Sequence, residues 1–313
     1  MISGKPNIML ENTLSGNNSI QRLKYFVRLT IDRLQELQLS TQSKLRFRGD
    51  ILEISLVRSN NDPDCRKIDA VNYIRTGLLI SMLINITESF GYKTILRTFP
   101  RFDEPDLLAF IYIGNRNTSL SNAVVQQEPF KINFKKTLKP INPNGIRTAQ
   151  KYLDKYNLTM HSLSNVAKQT DILSTIKNFI QSEKSNANKQ SCAPMSPSNS
   201  EIVVTQPMID NNEQIAHQLT QNNGKSAQSD KLFTICSKRN MPSNWVQTGF
   251  FLGDIIHAGA GIQHVFYPLN LSCCINTFQE VCRTNDFIHS AEFPQILLFA
   301  GDYSNYVSGS NFS

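Results

Sequence analysis

The stretch from Asn244 to Gly301 constrains the fold more than any other part of this chain. It opens Asn244-Trp245, passes through Gly249-Phe250-Phe251-Leu252-Gly253-Asp254-Ile255-Ile256-His257 and the glycines at 259 and 261, and continues through Tyr267-Pro268-Leu269-Asn270. It closes on Pro294-Gln295-Ile296-Leu297-Leu298-Phe299-Ala300-Gly301. A helix that is apolar on nearly all sides is stable only when it is buried. Glycines beyond its last turn end it. The Ile262–Asn270 stretch then reads as an irregular loop, a second helix follows, and the final apolar run reads as a buried strand. A hydrophobic fraction of 40% over 313 residues supplies enough core to bury both.

Upstream, Ser19 to Leu39 places Leu23, Phe26, Leu29, Ile31, Leu34 and Leu37 near helical spacing, with basic residues opposite. Leu45 to Leu56 alternates around Gly49-Asp50 and predicts a half-buried hairpin. Asp69 to Phe90 predicts a long central helix stopped by Gly91, followed by strands at Lys93–Phe99 and Leu107–Ile113. Asn142-Pro143 is a capped helix start leading into Gly145–Tyr156. A strand at Leu158–Leu163, a helix at Ser164–Gln181 and a strand at Lys231–Cys236 complete the set. Between them, residues 181–230 contain 22 Asn, Gln or Ser and no aromatic residue. So polar a segment cannot bury enough apolar surface to offset chain entropy, so it reads as an insertion or mobile lid, with Ile202-Val203-Val204-Thr205 as a local strand and Gln206–Leu219 as a local helix. Residues 1–19 read as a disordered, polar N-terminus.

The apolar run from Gly77 to Ile86 is too short to span a bilayer, and the N-terminus has no leader-like pattern, so neither membrane insertion nor secretion is expected. Six cysteines without CxxC spacing suit reduced thiols and a cytoplasmic location. Residues 1–150 hold 21 Lys and Arg against 13 Asp and Glu, a net of +8, whereas residues 151–313 hold 11 against 12, a net of −1. A basic half points to an anionic partner. The basic residues are scattered and no zinc-finger or RNP-like motif is present, which argues for a phosphate-bearing cofactor and against nucleic acid.

Lys135-Lys136-Thr137-Leu138-Lys139 is the most concentrated basic group. A phosphate dianion is best held by two or more cations with a hydroxyl donor, and this pattern brings both within five residues. The same pattern also suits a solvated loop before a helix. His257 reads as a core histidine, and His264 as a candidate proton donor near the glycine-rich exit. Cys273-Cys274 reads as small buried apolar residues, since vicinal cysteines bridge only with strain. Gly259-Ala260-Gly261 leaves a helix instead of joining strand to helix, so it is no dinucleotide fingerprint. No nucleophile-elbow serine is present.

Taken in order, the Trp245 helix, the glycine exit, the Pro268-Leu269 loop and the Pro294-Gln295 strand resemble the closing segment of the nitroreductase-like flavoproteins, specifically the Acg family. Ser40-Thr41-Gln42-Ser43-Lys44-Leu45-Arg46-Phe47 is similar to that family's Asn-Thr-Gln-Pro-Trp-Arg-Phe. Asp62-Pro63, Arg66-Lys67 and Thr76-Gly77 follow its order into the central helix. The similarity covers roughly residues 35–180 and 231–303. It implies an α+β nitroreductase-like fold: a mixed, largely antiparallel sheet flanked by helices, with two pseudo-repeated halves, 20–128 and 129–313, in one chain.

The resemblance further implies FMN as cofactor, with Lys135 and Thr137 on its phosphate and Lys139 near N1/O2 of the ring. Ser40, Thr41 and Gln42 would line the ring, and so would Pro268 and Leu269. It implies hydride transfer through flavin N5 to an electron-poor small molecule, with NAD(P)H as a candidate donor, in a monomer or homodimer. Lysine stands where the family more often shows arginine, and Phe299 stands where its last strand often carries arginine. Those departures keep a second reading open, a relative that holds or sequesters flavin without turnover.

Overall fold

The computed structural model describes residues 19–36, 42–57, 65–116, 143–162, 201–205, 231–259, 265–269, 288–289 and 291–301. They form a mixed α+β protein. The elements are α1 (Ser19–Glu36), β1 (Gln42–Arg48), β2 (Ile51–Leu56), α2 (Cys65–Ser89), β3 (Tyr92–Thr98) and β4 (Leu107–Arg116). Then follow α3 (Pro143–Tyr156), β5 (Leu158–Ser162), β6 (Glu201–Thr205), β7 (Lys231–Ser237), α4 (Pro242–Gly259), β8 (Val265–Leu269) and β9 (Phe293–Gly301). The predicted helices at Ser164–Gln181 and Gln206–Leu219 and the second helix expected after Asn270 lie outside the described residues.

The chain divides into two units, with the boundary inside α2 between Ser81 and Met82. The first unit holds α1, the end of α2 and a five-stranded antiparallel sheet in the order β3-β4-β2-β1-β6. Its core begins with α1, where Leu23, Phe26, Val27, Thr30 and Leu34 recur at helical spacing and are buried. Phe26 packs against Phe90 and Tyr92 at ring separations of 5.4 and 5.5 Å. The β1–β2 hairpin pairs Arg48 with Ile51 and turns at Gly49, whose φ of 55° suits glycine and strains other residues.

The second unit holds the start of α2, α3, α4 and a four-stranded antiparallel sheet in the order β5-β7-β9-β8. Its core joins Ile74, Leu78 and Ile80 of α2, Leu153 of α3, Phe251, Leu252 and Ile255 of α4, and the sheet residues Ile235, Ile296 and Leu298. Here α2 and α4 approach backbone to backbone. A Cβ on Gly77 would strike the Val246 carbonyl, one on Gly249 the Ile74 carbonyl, and one on Gly253 the Ser81 side chain. Glycine at these positions is therefore required by contact.

Two successive stretches of the chain, 19–116 and 143–301, repeat one order of elements. The first runs α1-β1-β2-α2-β3-β4 with neighbours β1-β2-β4-β3, and the second runs α3-β5-β7-α4-β8-β9 with neighbours β5-β7-β9-β8. Among the described elements only β6 stands outside this repeat. It comes from the polar 181–230 segment, but it is not a local strand. It pairs antiparallel with β1, from Gln42 opposite Thr205 to Arg46 opposite Glu201. A run of β-branched residues in an otherwise polar stretch supplies the backbone ladder that covers the first unit's edge. No described helix is long and apolar enough to cross a membrane.

Candidate functional site

Lys135, Thr137, Lys139, Ser40, Thr41 and His264 lie outside the described residues. Gln42 opens β1 in the first unit, and Pro268 and Leu269 lie in β8 of the second, opposite Leu298 and Leu297. Val265–Leu269 is thus a strand where an irregular loop was expected. The reason lies in its sequence: Val-Phe-Tyr favours extended backbone. A proline is also tolerated because β8 is the terminal strand of its sheet, where one row of backbone groups needs no ladder partner. His257, in the last turn of α4, is half-buried.

What the second unit does assemble is a set of buried polar side chains. Asp254 is the one acid of α4 and is 7% exposed. Ser81 of α2 donates to its Oδ1 at 2.7 Å, while Lys155 Nζ at 2.8 Å and Tyr156 OH at 2.7 Å, both from α3, donate to Oδ2. A buried carboxylate is tolerated only when charge-assisted hydrogen bonds replace its water. Burial, and then the bond to Asp254, push the Tyr156 hydroxyl far above its ordinary range, so it stays a donor. The group joins α2, α3 and α4.

A cleft of about 450 Å³ opens beside this cluster, lined by Lys155, Tyr156, Asn157, Lys238, Arg239, Met241, Ser243, Asn244 and Gln247. One wall is the end of α3, which Asn157 closes with a left-handed φ of 54°. The other wall is the β7–α4 connection and the N-terminus of α4. With Lys155 already paired to Asp254, Lys238, Arg239 and a helix N-terminus make the cleft positive and suit it to an anionic group. Asn244 Oδ1 is buried there without a hydrogen-bond partner in the structure.

The wall is held from beneath by the two most distinctive polar residues of the C-terminal motif. Trp245 Nε1 donates to Asn240 Oδ1 at 2.7 Å, and Gln295 Nε2 reaches Ser237 Oγ at 2.9 Å and the same Asn240 oxygen at 3.4 Å. Trp245 and Gln295 are far apart in sequence and act on one loop.

At another place on the same sheet, Glu292 lies just before β9. Its Oε1 accepts from Thr159 Oγ1 at 2.7 Å, and its Oε2 meets His161 Nε2 at 2.7 Å and accepts from the His289 amide at 3.3 Å. Burial raises its carboxyl pKa, but the Thr159 bond and the His161 contact outweigh that, and the group sits below the usual carboxylate range. Sequence reading missed Lys238, Arg239 and this pair. Asp254 was missed as well, although its place as the lone acid in an apolar helix is a signal that could have marked it, whereas nothing local linked His161 to Glu292. Comparison with protein-family models and with curated proteins gives no match to this chain.

Proposed function

We propose that the chain is an FMN-dependent oxidoreductase of the nitroreductase type, acting on an electron-poor small molecule with NAD(P)H as donor. The observation that carries this reading is the repeated order of elements: two successive stretches of one chain, each α-β-β-α-β-β with the same antiparallel neighbours. The resemblance implies two pseudo-repeated halves in one chain, and the repeat supports that independently of the motifs.

The donor set fits the group. Lys135 and Thr137 supply a cation and a hydroxyl donor of the kinds that hold a phosphate dianion, and Lys139 supplies a positive charge for a ring that becomes anionic on reduction. Gln42 offers both donor and acceptor groups to a polar ring edge. Pro268 and Leu269 are apolar residues of a terminal strand. When bound, the flavin supplies hydride chemistry at N5. The chain's own residues bind and orient it, and Lys139 favours the reduced form.

The test is the absorbance spectrum of the purified full-length protein, as isolated and after adding FMN, followed by turnover of a quinone or nitroaromatic. Bound oxidised flavin with NAD(P)H-dependent turnover is expected. Lys135→Met should weaken FMN binding, Lys139→Met should chiefly lower the reduction potential, and Arg239→Ala in the cationic cleft should change neither. A colourless protein with no binding heat for FMN overturns the proposal. Binding without turnover selects the second reading, a flavin-holding relative, which Phe299 in place of arginine favours.

A further inference from the structure

We propose that His161, Cys236 and Glu292 form a zinc site on the second unit's sheet. The three come from β5, β7 and the residue before β9, and one potential ligand atom from each lies within 4.8 Å of the others. The register explains the meeting. Thr159 stands opposite Cys236 and His161 opposite Thr234, so His161 and Cys236 are diagonal neighbours on one face. Cys236 in turn pairs with Pro294, two residues after Glu292.

The ligand chemistry is selective. A thiolate, an imidazole and a carboxylate together are a borderline set that suits zinc and disfavours magnesium or calcium, which take oxygen ligands. Zinc bond lengths place tetrahedral ligand atoms about 3.3–3.6 Å apart. The His161–Glu292 contact of 2.7 Å therefore opens slightly to admit the ion, while the thiol side closes.

The surroundings are already those of ligands held for a metal. Thr159 and the His289 amide fix the carboxylate from outside. Cys236 is fully buried and Glu292 is 8% exposed, so the ion would be shielded, while the His161 side chain, 24% exposed, leaves a way in. Three protein ligands leave a fourth position for water or for His289, whose ring centre is 5.9 Å from that of His161. The absence of local Cys/His spacing hid the site from sequence reading, because sheet pairing assembles it. The site is independent of the flavin reading and of its test.

The full-length chain, stripped with a chelator, is titrated with cobalt(II) and then competed with zinc(II). A thiolate-to-cobalt charge-transfer band saturating at one equivalent is expected, lost in Cys236→Ser and requiring roughly tenfold or more cobalt in Glu292→Gln. X-ray absorption of the zinc-loaded protein should show one sulfur at about 2.3 Å with nitrogen and oxygen at about 2.0–2.2 Å. No band, the same band in Cys236→Ser, or two or more sulfurs overturns the proposal. Should Cys236→Ser fail to fold, His161→Gln, which keeps a hydrogen bond to Glu292, decides: unchanged cobalt affinity overturns it.

Discussion

The two units share an order of elements and differ in what they bury. In the first, Phe26, Phe90 and Tyr92 fill the interior, and the buried hydroxyls of Thr30 and Thr87 bond back to Phe26 and Leu83 four residues earlier in their own helices. In the second, Ser81, Asp254, Glu292, Gln295 and Ser237 are buried and bonded across elements. Local satisfaction asks nothing of the tertiary fold. Bonds between elements demand a unique arrangement and place reactive groups together. One topology thus holds mostly locally bonded polar groups in one unit, where buried Glu53 paired with Arg48 is an exception, and polar groups bonded between elements in the other.

The sharpest way to break this contrast is to remove one residue from each interior. Phe26→Ala should cost about 3–5 kcal/mol as a cavity, and Asp254→Ala a similar 3–5 kcal/mol by stranding its donors. Only the second should be partly restored by another deletion: Tyr156→Phe added to Asp254→Ala removes an unmet donor. Urea unfolding of the single and double variants measures the coupling, and strict additivity would show that the polar cluster is not a unit.

Glycines sharpen the contrast next. Gly249→Ala should reach the upper end of about 1–3 kcal/mol, because its new methyl meets backbone that cannot turn aside. Gly49→Ala meets nothing within 4 Å, so only its left-handed φ opposes it, at roughly 1 kcal/mol. Thermal melts that rank the two in the reverse order would refute the close approach of α2 and α4.

Deleting residues 184–228 removes β6 and leaves the first unit with the same four-strand order as the second. The expected result is a folded chain with faster amide exchange along Ser43–Arg46 and concentration-dependent association through the bared β1 edge. A monomer with unchanged exchange there would mean that β6 does not cover β1.

The smallest effect is a pH dependence confined to the second unit. The Glu292 carboxyl is held below its ordinary 4.5, so its contribution to stability is present above that value and is lost as pH falls through the lower folded pKa. Glu292→Gln should flatten the acid limb of the stability profile. An unchanged limb would assign that limb to other carboxylates.

Much of this architecture was legible in the chain. The period of Leu23, Phe26 and Leu34, the Gly49-Asp50 turn, the apolar runs at Gly77–Ile86 and Gly249–Ile256 and the stop at Gly91 are properties of neighbouring residues, and helices, hairpins and buried strands follow from them. The sequence therefore determined most of the described elements, nearly to their ends, with the Val265–Leu269 strand read as a loop, and the need for a large core. The site was less legible. Trp245 and Gln295 stood out as a motif, but their shared hold on Asn240 depends on β7, β9 and α4 meeting. Tertiary structure alone decided that β6 joins the first sheet, that Gly77 and Gly249 mark a helix crossing, and that His161, Cys236 and Glu292 share one face. The physical reason is range: propensity and periodicity act over a few residues, whereas pairing register and burial join residues that the sequence keeps far apart.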